Sequence, residues 1–187
     1  MTDPQRFKDG LLGELQSLRA FAISIAGNVE RADDLVQDTL MKAWSNMHAY
    51  TEGTNLRAWL FTILRNTFYS EYRKRSREVE DDGTYSERLA VHAEQDGHMD
   101  FTDFKAALAQ LPADQREALI LVGASGFSYE EAAEICGCAL GTIKSRINRA
   151  RSRLVALLAV DSGDEFGPDA RSHAVLSSGP LSSPVGE

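Results

Sequence analysis

The chain has 187 residues, 20 Lys and Arg against 28 Asp and Glu, a net charge of −8 and 43% hydrophobic residues. That length allows one medium domain or two small ones, and that balance excludes a wholly disordered chain, a collagen-like fibre and a membrane bundle. Spread evenly, a charge of −8 would also argue against a nucleic-acid partner, because a phosphate backbone attracts the opposite sign.

Read in chain order, the first residues Met1 to Gly10 mix Asp3, Arg6, Lys8 and Asp9 and carry no apolar core of a signal peptide. No apolar run approaches the roughly 18 residues of a membrane span. Val36, Leu40 and Ala43 then fall at i, i+4 and i+7, as do Leu56, Leu60 and Ile63, with Leu64 and Phe68 extending the second stripe. Both patterns predict amphipathic helices. Along 57–77 six cations stand against Glu71 alone, a local charge of +5. The sign then reverses: 78–104 carries nine acids against Arg88, a charge of −8. With Gly83, Gly97 and few large apolar residues, 78–99 reads as a flexible acidic linker. Pro112 suits the first position of a helix running through Gln115 to Val122, which Gly123 and Gly126 end. From 139 to 157 there are five cations and no acid, +5 again. The segment 161–187, rich in Ser, Gly and Pro, reads as a disordered tail. No stretch alternates with strand punctuation. The expectation is an all-α chain of two small helical domains, 1–77 and 100–160, joined by the linker.

The strongest local signal runs from Ser128 to Leu154. Ser128-Tyr129-Glu130-Glu131 is a capping box opening a short helix, Tyr129 to Cys136, with small residues Ala132, Ala133 and Cys136 where another helix can approach. Gly137 supplies a left-handed turn, and a second helix follows from about Leu140 to Leu158. Ala133, Gly137 and Ile143 sit at helix-turn-helix spacing. Ile143, Ile147, Ala150 and Leu154 form the buried stripe of the second helix. Gly141, Ser145, Asn148 and Arg149 project from the other side, with Thr142 and Lys144 on its margins. Hydroxyls, an amide and long cations suit a major groove: Arg forks onto guanine, Asn pairs with adenine, and Lys or Ser holds phosphate. One basic run alone would be an ordinary solvated face; two, each on an amphipathic helix, point to a polyanion. Cys136-Gly137-Cys138 has no second cysteine pair, and His48, His92, His98 and His173 are scattered, so the thiols read as small buried hydrophobes, with no metal or cofactor. Two cysteines make no disulfide scaffold, and a reducing cytoplasm is expected.

The residues from Leu111-Pro112 through Gln115-Arg116-Glu117, then Gly126 to Ala133, then Gly141 to Arg151, resemble region 4 of the extracytoplasmic-function (ECF) sigma factors. The runs Ala32 to Leu40 and Leu56 to Asn66 resemble their region 2. The wording of Ile135 to Cys138 followed by Gly141 to Arg146 is similar to the alphaproteobacterial general-stress-response subgroup. The resemblance implies a factor that binds core RNA polymerase and directs it to two promoter elements. It carries −35 recognition onto Lys144, Ser145 and Arg149, to which the helix geometry adds Thr142 and Asn148. For the single-stranded −10 element it implies cations along phosphate and a pocket for an unstacked base. The loop Tyr50 to Asn55 is the candidate pocket, with Asn66, Tyr69, Arg73 and Lys74 along one helix side and Asn55, Arg57 and Arg65 completing the set. Trp59 falls on the core stripe and reads as buried. The polymerase contact falls on Asp34, Gln37, Asp38 and Met41, opposite the Val36/Leu40/Ala43 stripe. A small soluble anti-sigma protein is a further implied partner.

Two other readings compete. A single helix-turn-helix regulator explains Ser128 to Leu154 but leaves the N-terminal basic helix idle, and should bind duplex DNA without polymerase. A sigma mimic that titrates an anti-sigma factor needs a receiver domain, for which there is no room after Leu158. No phosphate loop, nucleophile elbow or metal cluster marks an enzyme or a small-molecule substrate site.

Overall fold

Four of the helices begin where a side chain, from Asp3, Asn28, Asn55 or Ser128, takes one of the first free amides. The structure, a computed structural model, describes residues 3–82 and 99–158. Helix α1, Pro4–Ala26, opens with the Asp3 carboxylate accepting from the Gln5 N–H, and Pro4 sits where a missing donor costs nothing. It closes at left-handed Gly27, whose N–H donates to the Ile23 carbonyl. Helix α2, Val29–Ser45, is capped by the Asn28 side chain, which accepts from the Arg31 N–H. A short 3-10 turn, Met47–Ala49, leads toward α3, Leu56–Asp82. The Asn55 side-chain oxygen caps α3 by accepting from the Ala58 N–H at 3.0 Å. The remaining helices are α4, Met99–Ala109, α5, Ala113–Gly123, α6, Tyr129–Cys136, and α7, Leu140–Leu158. Among the described residues there are seven α-helices and no strand, in accord with the all-α reading.

Helices α1, α2 and α3 pack as one unit around Leu18, Phe21, Leu35, Leu60, Phe61 and Leu64, all fully buried. Burying side chains of this size contributes roughly 1.5–3 kcal/mol each before ordering costs. The expected stripes lie on this core: Val36, Ala43, Leu60, Leu64 and Phe68 are buried, while Leu40, Leu56 and Ile63 are partly buried at its margin. Gly10 of α1 faces Leu56 of α3, whose Cδ2 would lie 2.6 Å from a Cβ at that position and would have to turn aside. On the outside, Arg19 holds Asp33 with two hydrogen bonds of 2.6 and 3.1 Å, tying α1 to α2.

The C-terminal unit is the helix-turn-helix. The Ser128 hydroxyl accepts from the Glu131 N–H at 3.1 Å while the Glu131 carboxylate accepts from the Ser128 N–H at 2.9 Å. Gly137, with φ 61°, ends α6 in the left-handed region, which glycine enters without a Cβ penalty. Ile143, Ile147, Ala150 and Leu154 are buried as the stripe requires, and Ala107 and Leu111 pack α4 onto Ala150 and Leu154. Pro112 stands one residue earlier than its sequence reading, as the N-cap of α5 rather than its first helical residue.

The sequence predicts two domains free to move on a linker. In this structure they share a core: Phe21 stacks on Phe61 at 4.9 Å, and Phe61 meets Phe127 edge-on at 4.8 Å. Helix α1 contacts α5, and α3 contacts α6. The described residues that flank the expected linker are helical, α3 reaching Asp82 and α4 starting at Met99. Residues 83–98, most of that linker, and the expected tail 161–187 lie outside the described residues.

Candidate nucleic-acid and polymerase interfaces

Helix α7 follows a capped helix and a left-handed turn, so its entry angle is fixed by local backbone chemistry. Its stripe faces α5 and α6, and this turns the opposite side to solvent. Lys144, Asn148 and Arg149 are exposed there, while Thr142 and Ser145 are half-buried. The Ser145 hydroxyl donates to the Thr142 carbonyl at 2.9 Å, which orients it along the helix and leaves its lone pairs available. All five expected residues therefore occupy α7, three fully outward and two at the margin. A further cation of the basic run is not on this face: Arg146 Nε pairs with Asp114 at 3.1 Å, holding α7 to α5.

On α2 the polar side is outward. Asp34, Gln37, Asp38 and Met41 are all exposed, Met41 by 68%, opposite buried Leu35, Val36, Thr39 and Ala43. Trp44, three residues beyond Met41, continues the stripe with 49% exposure, and the sequence reading missed it. A tryptophan one turn past an exposed methionine was the available signal.

The seven α3 and loop residues divide into two groups. Asn66, Arg73 and Lys74 are exposed, with Arg73 Nε donating to the Tyr69 carbonyl at 3.2 Å. Asn55, Arg57, Arg65 and Tyr69 instead engage the C-terminal unit. Arg65 Nε donates to Glu117 Oε1 at 2.8 Å, and the Tyr69 hydroxyl donates to Glu117 Oε2 at 3.2 Å. Asn55 Nδ2 donates to Glu131 Oε1 at 2.7 Å. The Arg57 guanidinium lies over the rings of Phe61 and Phe127 at 5.5 and 5.1 Å, and its Nε is 3.3 Å from Glu14. Glu117, fully buried at 0% exposure, and Phe127 lie in the runs that resemble region 4, but neither was expected to contact α3; an acid directly before the apolar run 118–122 was the available cue for Glu117.

Burial governs the titration of this contact. Desolvation raises the Glu117 carboxyl above its ordinary value, and the opposing pull of Arg65 does not cancel it. Burial alone would lower the Arg65 guanidinium, but Glu117 leaves it raised. Tyr69 is raised by burial and then by Glu117. The Cys136 thiol, buried behind Glu117, is pushed up to about 12 by the same causes, which keeps it a poor nucleophile and ligand. Cys138 Sγ lies 3.8 Å from Arg146 Nη1. Among the described residues no three His, Cys, Asp or Glu side chains gather as metal ligands.

In the loop expected to form the base pocket, the Tyr50 hydroxyl donates to the Thr54 carbonyl at 2.9 Å and the Thr54 hydroxyl donates to the Thr51 carbonyl at 2.7 Å. Trp59 is half-buried, its ring 5.5 Å from Tyr50 and 6.1 Å from Phe7. It packs in an aromatic cluster at the margin of the core, partly buried where the stripe predicted full burial.

A three-helix unit packed on a capped helix-turn-helix with an outward basic face defines a two-domain, all-helical DNA-binding protein. The family models for Sigma-70 region 2 and Sigma-70, region 4 match residues 13–78 and 102–154. The chain is 62% identical over 177 residues to the ECF RNA polymerase sigma factor EcfG of Rhodopseudomonas palustris, spanning 94% of this chain and 97% of that one. It is 37% identical over 138 residues to the probable RNA polymerase sigma-C factor of Mycobacterium bovis, spanning 72% of this chain and 74% of that one. Among solved structures, it is similar to the sigma factor RpoE of Bartonella quintana in complex with the anti-sigma factor NepR. That match has a TM-score of 0.76 and 62% identity, and covers 84% of this chain and 99% of that one. The chain belongs to the ECF sigma factors, which bind core RNA polymerase and direct promoter-specific initiation.

Proposed function

We propose that this sigma factor reads the −35 element as duplex through Thr142, Lys144, Ser145, Asn148 and Arg149. It takes the −10 element as single strand through Asn55, Arg57, Arg65, Asn66, Tyr69, Arg73 and Lys74, and docks on core polymerase through Asp34, Gln37, Asp38 and Met41. Residues 1–77 serve the polymerase and −10 contacts, 100–160 the −35 contact, and 78–99 join them. The observation that carries this reading is α7, which presents Lys144, Asn148 and Arg149 to solvent from a helix whose other side is fully buried. The chain acts in the cytoplasm, performs no chemistry itself and controls stress-response genes. The partner of the Bartonella relative supports a small soluble anti-sigma factor as its inhibitor.

Run-off transcription with purified core polymerase on a stress promoter tests this. The wild type yields a transcript, while Lys144→Ala with Arg149→Ala abolishes it and leaves polymerase binding intact. Loss of polymerase binding in that variant would count against the assignment of α7, and no wild-type transcript from active core would sink the whole reading.

A further inference from the structure

We propose that Phe7, in the first turn of α1, is a positioning residue for −10 recognition: it sets where the loop from Tyr50 to Asn55 stands, and so whether that loop holds an unstacked base. The loop fixes its own shape but not its own place. Thr51, Glu52, Gly53, Thr54 and Asn55 are all exposed. The Tyr50 hydroxyl donates to the Thr54 carbonyl, and both the Thr54 hydroxyl and its N–H donate to the Thr51 carbonyl. At the far end Asn55 is tied to α3 as its cap. At the near end the Tyr50 ring is half-buried against Phe7 at 5.6 Å and Trp59 at 5.5 Å. Phe7 and Trp59 also meet, at 6.1 Å, so three rings form a closed triangle across α1, the loop and α3. Trp44 of α2 is a fourth ring, 6.3 Å from Phe7.

Phe7 is 2% exposed and cannot itself stack on a base, so it acts through Tyr50 and Trp59. Truncating a buried ring leaves a void into which its neighbours shift. Phe7 is itself held by a capped turn: its N–H donates to the Asp3 carbonyl at 3.0 Å, beside the Asp3 side chain that caps α1. Arg6, on the same turn, lies 3.8 Å from Glu52 of the loop, but that pair is largely exposed and such pairs contribute little. The apolar contact therefore dominates. A pocket for one base rewards preorganisation, since a loop in place only part of the time loses affinity in proportion.

This rests on the −10 reading above, and the test separates the two. Holoenzyme is bound to a fluorescent non-template-strand oligonucleotide carrying the −10 element of the promoter used for run-off transcription. A second set carries one abasic site at each position in turn. With the wild type, the position of greatest loss should cost about tenfold in affinity, the scale of one base contact, and it marks the captured base. Phe7→Ala should shrink that ratio to about twofold or less as the loop loses its place. Phe7→Leu keeps apolar volume without a ring, should shrink the ratio in the same direction, and decides the matter if the Ala variant does not fold. Leu18→Ala empties a fully buried site about three turns further along α1. It should lower the melting temperature and keep the wild-type ratio.

No position-dependent loss with wild-type holoenzyme would overturn base capture, and the role of Phe7 with it. A wild-type ratio retained in either folded Phe7 variant, including a uniform loss across the set, would overturn the role of Phe7 and leave the −10 reading standing. An equal fall of the ratio in Leu18→Ala would reduce the effect to general loosening of the core, and positioning by Phe7 would fail.

Discussion

Glu117 shows how one side chain can be read from physics once its surroundings are known. Arg65 and Tyr69 face it from α3, Cys136 from α6 and Arg146 from α7. Its pKa is raised because burial penalises the charge more than the two hydrogen bonds and the two cations compensate. By linkage, a state with a raised carboxyl pKa binds a proton more readily than the state in which that group meets water. The Glu117 contribution to stability is therefore fully present below the ordinary value of 4.5 and is lost as pH rises through the raised value. Glu117→Gln cannot titrate and should flatten this part of the profile. Thermal melting of both proteins across mildly acidic to neutral pH measures it: the wild type should lose stability relative to the Gln variant as pH rises. A wild type that gains relative stability with pH would show the opposite balance, with Arg65 holding the carboxyl below its ordinary value against the cost of burial.

At the scale of the element, helix α6 is the piece most completely specified by its own residues. Eight residues are too few for a stable isolated helix, so its ends matter disproportionately. Ser128→Ala removes one half of the capping box and should cost about 1 kcal/mol in chemical denaturation. Gly137→Ala should cost about 1–2 kcal/mol, because φ 61° is strained for a residue with a Cβ. Nothing lies within 4 Å of that Cβ, so the penalty is conformational and a clash plays no part. A Gly137→Ala loss much larger than this would mean that the turn is packed more tightly than the structure shows.

These local signals explain why α6, Tyr129–Cys136, and α7, Leu140–Leu158, were legible in the sequence. Caps, turn glycine and a 3.6-residue stripe all act within a few residues of each other. The destination of Arg65 was not legible, since its partner Glu117 stands 52 residues away and an exposed and a paired arginine look alike in sequence. Asn55 lies between these cases. Its capping bond to Ala58 is a local feature that residue spacing could have shown, whereas its bond to Glu131 is not.

Over the whole molecule, formal charge overstates the cations available to DNA. The total of −8 conceals two +5 segments, yet the fold spends part of each segment internally. In the first, Arg57 pairs with Glu14 and Arg65 with Glu117, leaving Arg73, Lys74 and Arg75 exposed. In the second, Arg146 pairs with Asp114 at 23% side-chain exposure, while Lys144, Arg149 and Arg153 face solvent. Salt dependence can count the difference, because each phosphate neutralised releases counterions and adds about 0.9 to the slope of log affinity against log salt. Holoenzyme binding to a promoter duplex should therefore lose about 1.8 from its slope when Lys144 and Arg149 are both changed to Ala. Arg146→Gln should leave the slope nearly unchanged and lower the stability of the C-terminal unit instead, since it removes the tie between α7 and α5. Equal slope losses in the two proteins would place Arg146 at the phosphates, and the division of this helix into a DNA face and a structural face would fail.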